Sequence, residues 1–171
     1  MTNKLQNPEI IQQEYYKKTA DNYNISHCGE EDKEHNFALH QLLGLIDFLN
    51  IKSILDVGSG TGRVIGFFKN KKSEIKVIGI EPVKELREIA YKQGISENDL
   101  IEGSGLQINY PDNSFDLVCE FGVLHHVKNN KKMVDEMLRV SKKAIFISDS
   151  NNFGMGSIVS RSVKQILNFF K

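Results

Sequence analysis

The chain has 171 residues, 40% hydrophobic and 26% charged, with Lys+Arg and Asp+Glu equal at 22 each and a formal net charge of zero. That is enough chain for one domain with a buried core; the balanced charge leaves no electrostatic footprint for nucleic acid, and no apolar run approaches the roughly 20 residues of a membrane span. Cys28 and Cys119 stand apart without metal or redox spacing, and residues 1–9 are polar with no apolar signal-peptide core, so the expected setting is the reducing cytoplasm.

Residues 1–34 are polar and carry Tyr15, Tyr16 and Tyr23; 9–20 can form a helix, and 22–33 read as a loop rich in acids. Between His35 and Asn50, Ala38, Leu42, Leu45 and Leu49 recur at helical spacing, with Leu39, Leu43 and Ile46 widening the stripe. A short apolar run at 53–57 ends in Gly58-Ser59-Gly60-Thr61-Gly62, and a helix follows over 62–71. A second β-rich run occupies 76–81, Pro82 breaks it, and 83–92 predicts a helix with Leu86, Ile89 and Ala90 inward. Two more strands follow at 99–102 and 115–120, the latter closed by Gly122. A helix at 131–141 carries Met133, Val134, Met137 and Leu138, a fifth strand takes 143–148, and a last amphipathic helix is expected over 157–170.

Strands alternating with helices predict a doubly wound α/β domain, its parallel sheet covered on both faces. Such a sheet binds ligands beyond the carboxyl ends of its strands, where the strand order reverses. The glycine cluster sits at such an end: glycine accepts positive φ and lets a ligand approach the backbone, and the first free N–H groups of the next helix point into the same space. The dinucleotide fingerprint G-x-G-x-x-G is met at Gly58 and Gly60 but broken at Arg63, and no glycine is followed by Lys-Ser or Lys-Thr as a phosphate loop requires. Glu81 ends the second strand about 20 residues beyond the glycines, the spacing at which a carboxylate reaches ribose hydroxyls; alone it would read as a solvated acid. An NAD-binding domain is the less favoured enzyme reading.

Three stretches carry a family resemblance. Asp56-Val57-Gly58-Ser59-Gly60-Thr61-Gly62 resembles the first motif of the class I S-adenosylmethionine-dependent methyltransferases, Pro111-Asp112-Asn113-Ser114-Phe115-Asp116 resembles the turn before their fourth strand, and Val123-Leu124-His125-His126 resembles the loop after it. The resemblance covers roughly residues 50–150 and points to the broad group with ubiquinone/menaquinone-type and natural-product methyltransferases. It implies a mostly parallel Rossmann-like sheet, S-adenosyl-L-methionine as cofactor and methyl transfer to a small-molecule, lipid-like or saccharide-linked acceptor. Asp56 and the turn Gly58, Ser59 and Gly60 would meet the methionine and ribose part, Glu81 and Pro82 the ribose, Phe121 the methionine part, and Gly105 and Leu106 the adenine. Ser104, Gly105 and Leu106 depart from the Asp-Ala-Glu usual in that adenine loop. Tyr15, Tyr16, Ala20 and Tyr23 resemble the N-terminal segment that covers the cofactor.

An oxygen or carbon acceptor would need a base, for which His125, His126, Asp149 and Tyr16 are the candidates. The plainer reading of the two histidines is that one caps or packs at the loop while the other faces solvent, and of Asp149 that it caps the final helix. Two adjacent histidines without a third ligand give no metal site. The expected organisation is a covering segment at 1–34, a cofactor-binding core at 35–150 and a helix at 151–171. Residues 149–171 leave room for one helix but not for the antiparallel hairpin with which the family's sheet closes. That implies an exposed fifth strand open to a second copy, and an alternative in which the domain binds cofactor but is inactive or needs a partner. Arg161, Lys164 and Lys171 make the last helix basic, a pattern that can also touch a membrane surface.

Overall fold

The computed structural model describes residues 33–149. Tyr15, Tyr16, Tyr23 and the expected C-terminal helix lie outside the described residues. Helix α1 (Lys33–Phe48) leads into strand β1 (Ser53–Val57), followed by α2 (Arg63–Lys71), β2 (Lys76–Ile80), α3 (Lys84–Lys92), β3 (Leu100–Ile101), β4 (Phe115–Phe121), a 3₁₀ turn (Leu124–His126), α4 (Asn130–Val140) and β5 (Ser141–Ser148). The five strands form one sheet in the order β3-β2-β1-β4-β5, every pair parallel. The order reverses beside β1, so the crevice of this doubly wound sheet opens between the carboxyl ends of β1 and β4.

The sequence dictates this directly. Ile54, Leu55 and Val57 are all buried, as befits a central parallel strand covered on both faces. Ile54, Val77, Leu100, Leu117 and Cys119 turn to one cluster with α1, α2 and α3; Leu55, Val57, Ile78, Ile80 and Val118 turn to the other with Met133 and Met137 of α4. Phe115 and Leu117, two residues apart, belong to opposite clusters, and the β4–β5 register slips between them.

Four expectations need correction. The buried face of α1 is Ala38, Leu39, Leu42 and Ile46, while Leu45 is exposed; only part of the apolar stripe fits against the sheet. On α4, Met133, Met137 and Val140 are buried and Leu138 is exposed. Arg87 takes an inward position on α3, where it donates to the Glu81 carbonyl (2.6 Å) and to Glu102 (2.8 Å) and so ties the ends of β2 and β3 together. The fifth strand starts at Ser141 because α4 runs into β5 without an intervening turn.

Candidate active site

Three buried carboxylates end three adjacent strands. Asp56 on β1 accepts a hydrogen bond from the Ser59 hydroxyl (2.6 Å), and the Cys119 thiol lies 3.8 Å from its other oxygen. Burial pushes the Asp56 carboxyl up to about 6, against the pull of Ser59 and Arg63. Glu81, just past β2, accepts from the Gly60 N–H (3.0 Å) on one oxygen and from the Val83 N–H (2.8 Å) on the other. Burial raises it to about 7, the two backbone donors and Arg87 working in the opposite direction. Glu120, near the end of β4, accepts from the N–H groups of Val123 (2.8 Å) and Leu124 (3.4 Å), and its Oε1 has no hydrogen-bond partner among the described residues. It too is raised to about 7, by burial first and then by the negative charges of Asp149 and Asp56.

Asp56, Gly58, Ser59, Thr61, Arg63, Val64 and Phe121 line a small open cleft at the reversal of strand order. The Arg63 guanidinium lies 5.9 Å from the centre of the Phe121 ring, a cation–π arrangement. The cleft thus presents a carboxylate, a guanidinium and an aromatic face. Glu81 stands behind its floor, fastening the turn through Gly60. Pro82 is exposed next to it.

The glycine turn is tighter than the sequence suggests. Gly58, Gly60 and Gly62 all have positive φ. A Cβ on Gly58 would stand 2.6 Å from Val123 Cγ2, so the space freed at this glycine is filled by the loop after β4. There the missing side chain serves packing between two loops, where the sequence suggested room for a ligand. Gly105 and Leu106 sit in a small turn closed by the Ser104–Gln107 bridge; Leu106 packs on the α4 face of the core, and a Cβ on Gly105 would meet Val57 at 2.8 Å. The departure from Asp-Ala-Glu therefore produces an apolar plug beside the end of β1.

His125 and Asp149 come together. The His125 main-chain N–H donates to Asp149 Oδ2 (2.8 Å), and its ring Nδ1 pairs with Oδ1 of the same carboxylate. The His126 ring packs on that of His125 with centroids 3.7 Å apart. His35, from the start of α1, approaches the same place: its Nδ1 is 2.9 Å from the Ser148 hydroxyl and its ring is edge-on to Phe121. Between these rings lies Gly122, at φ +76°, whose added Cβ would stand 3.0 Å from His35 Nε2 and 3.9 Å from His125 Cε1. Gly122→Ala should therefore lower the unfolding free energy by about 1–2 kcal/mol, the cost of a left-handed conformation for a residue with a Cβ, seen as a lower urea midpoint at unchanged m; an unchanged midpoint would show that the loop can relax. Cys119 is buried and its thiol is pushed well up, by burial and then by Asp56 and Glu120, which makes it an inert core residue.

Sequence reasoning singled out neither Glu120 nor His35, and it used Arg63 only to argue against a dinucleotide site. The signal for Glu120 was present: an acid between the apolar run Leu117-Val118-Cys119 and Phe121, the same anomaly that marks Asp56 in β1. His35 carried no such signal, because only the fold brings the start of α1 to the end of β5.

Comparison with known proteins fits this geometry. A family model described as a methyltransferase domain matches residues 55–147, more than half of the chain. An uncharacterized methyltransferase of Schizosaccharomyces pombe is 33% identical over 104 residues, covering 55% of this chain and 37% of the relative. A demethylmenaquinone methyltransferase of Thermotoga maritima is 25% identical over 103 residues, covering 60% of this chain and 44% of the relative. The crystal structure of an S-adenosylmethionine-dependent methyltransferase from Thermotoga maritima, described as a possible histamine N-methyltransferase, superposes with a TM-score of 0.53 at 26% identity, covering 75% of this chain and 56% of that one. The chain thus spans between about a third and a half of the length of these two curated relatives. The matched segment runs from within β1 to within β5 and takes in the glycine turn, Glu81 and the loop after β4, and on that match the chain belongs to the family of methyltransferase domains.

Proposed function

We propose that this chain binds S-adenosyl-L-methionine in the cleft at the ends of β1 and β4 and that it transfers the methyl group to a small-molecule acceptor. The observation that carries the reading is the convergence of Asp56, Arg63 and Phe121 on one cleft inside the segment matched by the family. The donor set suits such a cofactor. Asp56 and Arg63 offer opposite charges to the ammonium and carboxylate of an amino-acid end, and the Phe121 face suits a sulfonium beside them. Glu81 keeps unused lone pairs on both carboxylate oxygens, since each accepts a single backbone N–H; these are its means of reaching ribose hydroxyls. Pro82, Gly105 and Leu106 would form the edge toward the base. When bound, the cofactor supplies a methyl carbon activated by a positively charged sulfur.

The protein's own part is alignment and water exclusion, since bringing the two reactants into line accounts for much of the barrier in such a displacement. Tyr15, Tyr16 and Tyr23 belong to this proposal as a cover over the cofactor, and the balanced charge speaks for an acceptor other than nucleic acid. Among the described residues no helix is long and apolar enough to cross a membrane, and none of their His, Cys, Asp and Glu side chains form a group that could hold a metal ion.

Calorimetric titration with S-adenosylhomocysteine, alongside NADH, tests the cofactor. Micromolar binding of the thioether with no heat from NADH is the expected result. Preference for NADH, or silence from both in folded protein, would rule the reading out.

A further inference from the structure

Resting on the cofactor reading above, we propose that the site takes the purine of its cofactor by shape and not by its hydrogen-bonding edge, that Ser104 is the residue that leaves it so, and that a hypoxanthine nucleoside therefore binds as readily as the adenosyl one. The placement comes from two glycines of the turn 103–107. Gly103 is pressed on β2, where an added Cβ would stand 2.9 Å from Cβ of Ile80, the residue before Glu81. Gly105 is pressed in the same way on Val57, the residue before Gly58. The turn thus runs across the carboxyl ends of β2 and β1, from beside the acid offered to the ribose to beside the glycine turn. A ribose held at Glu81 brings its base against it.

Three successive backbone donors of this stretch are already committed. The Leu106 N–H donates to the Ser104 hydroxyl (3.2 Å), the Gln107 N–H to the Ser104 carbonyl (3.2 Å) and the Ile108 N–H to Glu136 (2.8 Å). The turn contains no carboxylate. Glu102, the acid just before it, pairs with Arg87 on α3. The polar side chains of the turn are Ser104 and Gln107, both exposed, and Leu106 adds a half-buried apolar contact.

Adenine and hypoxanthine share an outline but have opposite polarity along one edge. Adenine donates from its exocyclic amino group and accepts at the neighbouring ring nitrogen; hypoxanthine accepts at its carbonyl and donates from that nitrogen. A site built to hydrogen-bond one pattern rejects the other strongly, because its own polar groups are left unpaired. An ionised carboxylate only accepts, and would select the amino group. The Ser104 hydroxyl holds the Leu106 N–H on one lone pair and keeps a hydrogen and a second lone pair, so it can turn to either base. The Gln107 amide likewise both donates and accepts. Discrimination among nucleosides then falls on the ribose and the amino-acid end, where Glu81, Asp56 and Arg63 stand.

The test is calorimetric titration of S-adenosylhomocysteine and S-inosylhomocysteine into the wild type and into Ser104→Asp. The wild type should bind the two within about fivefold, because a hydroxyl and an apolar face serve both bases. Ser104→Asp should favour S-adenosylhomocysteine by about tenfold or more, the effect of one charged acceptor beside the amino group. The new carboxylate can still accept from the Leu106 N–H, as an Asx turn does, and near-UV circular dichroism verifies the fold. A wild-type preference for either ligand above about fivefold overturns the proposal, whatever the variant does. A ratio that folded Ser104→Asp leaves unchanged overturns it too, since the base would then lie away from the turn. Absence of S-adenosylhomocysteine binding by the wild type would instead sink the cofactor reading, and this inference with it.

Discussion

Glu81→Ala should all but abolish S-adenosylhomocysteine binding while leaving a folded protein. A hydrogen bond to a charged group contributes about 1.5–3 kcal/mol, and each 1.4 kcal/mol is tenfold in affinity. Two effects combine here. The variant loses the carboxylate offered to the ribose, and it orphans the N–H groups of Gly60 and Val83, both now satisfied by Glu81. Gly60 belongs to the turn that floors the cleft, so its loosening reaches the neighbouring Asp56 and Ser59. A fall of about a hundredfold or more is expected from calorimetry, with near-UV circular dichroism to verify the fold. The two effects separate if a ligand lacking the ribose hydroxyls is titrated in parallel. Should both ligands weaken equally, Glu81 acts by holding the turn and not by contact. Undiminished affinity for S-adenosylhomocysteine would refute its place in the site altogether.

The second large effect is on stability against pH. Asp56, Glu81 and Glu120 are each raised when folded, from 3.8 to about 6 for Asp56 and from 4.5 to about 7 for the two glutamates. Such groups hold their proton more tightly in the native state, so unfolding releases protons between the unfolded and folded values and stability falls as pH rises through that window. At 1.36 kcal/mol per unit, the shift of Glu81 alone corresponds to about 3 kcal/mol. On the acid side the order is reversed. Glu136 is lowered to about 2, chiefly by hydrogen bonds from Arg139, and Asp116 is also lowered, because donation from Lys52 N–H and the charge of Lys143 outweigh its burial. Their stabilisation is present above 4.5 and 3.8 respectively and is lost as pH falls below those values. The ligand-free protein should therefore be most stable near about pH 5, with Tm falling toward pH 7.5 or so. Glu120→Gln should flatten the alkaline arm. A Tm that climbs between about pH 5.5 and 7.5 would mean that these acids are better solvated than their burial implies.

Much of this arrangement was legible because its signals are local. The apolar runs of β1 and β2, the glycines between β1 and α2, and an acid at each strand end are written in consecutive residues, and the fold keeps them where the pattern put them. Helix faces were less legible. Leu45 and Leu138 fit the periodic stripes as well as Leu42 and Met137 do, and only the width of the sheet surface decides which are covered. Least legible was what depends on the meeting of strand ends. His125 and Asp149 are 24 residues apart, and His35 and Ser148 are 113 apart; both pairs form because β5 lies next to β4 and α1 crosses their ends. No spacing rule anticipates that one carboxylate takes both the backbone and the ring of the same histidine.

The position of β1 has a consequence for the order in which the protein can be made. Glu81 reaches Gly60 across 21 residues, whereas Cys119 reaches Asp56 across 63. A chain emerging from the ribosome can close β1 on β2 and fasten the glycine turn well before β4 exists. Phe121, and the Val123 side chain that fills the space over Gly58, arrive only with the later segment. Contacts of long sequence separation form late because loop closure must precede them. The nascent β1–β2 unit therefore carries Asp56 and Glu81 without the wall that completes the cleft, and a ligand can stabilise the protein only after its central strand has been flanked on both sides.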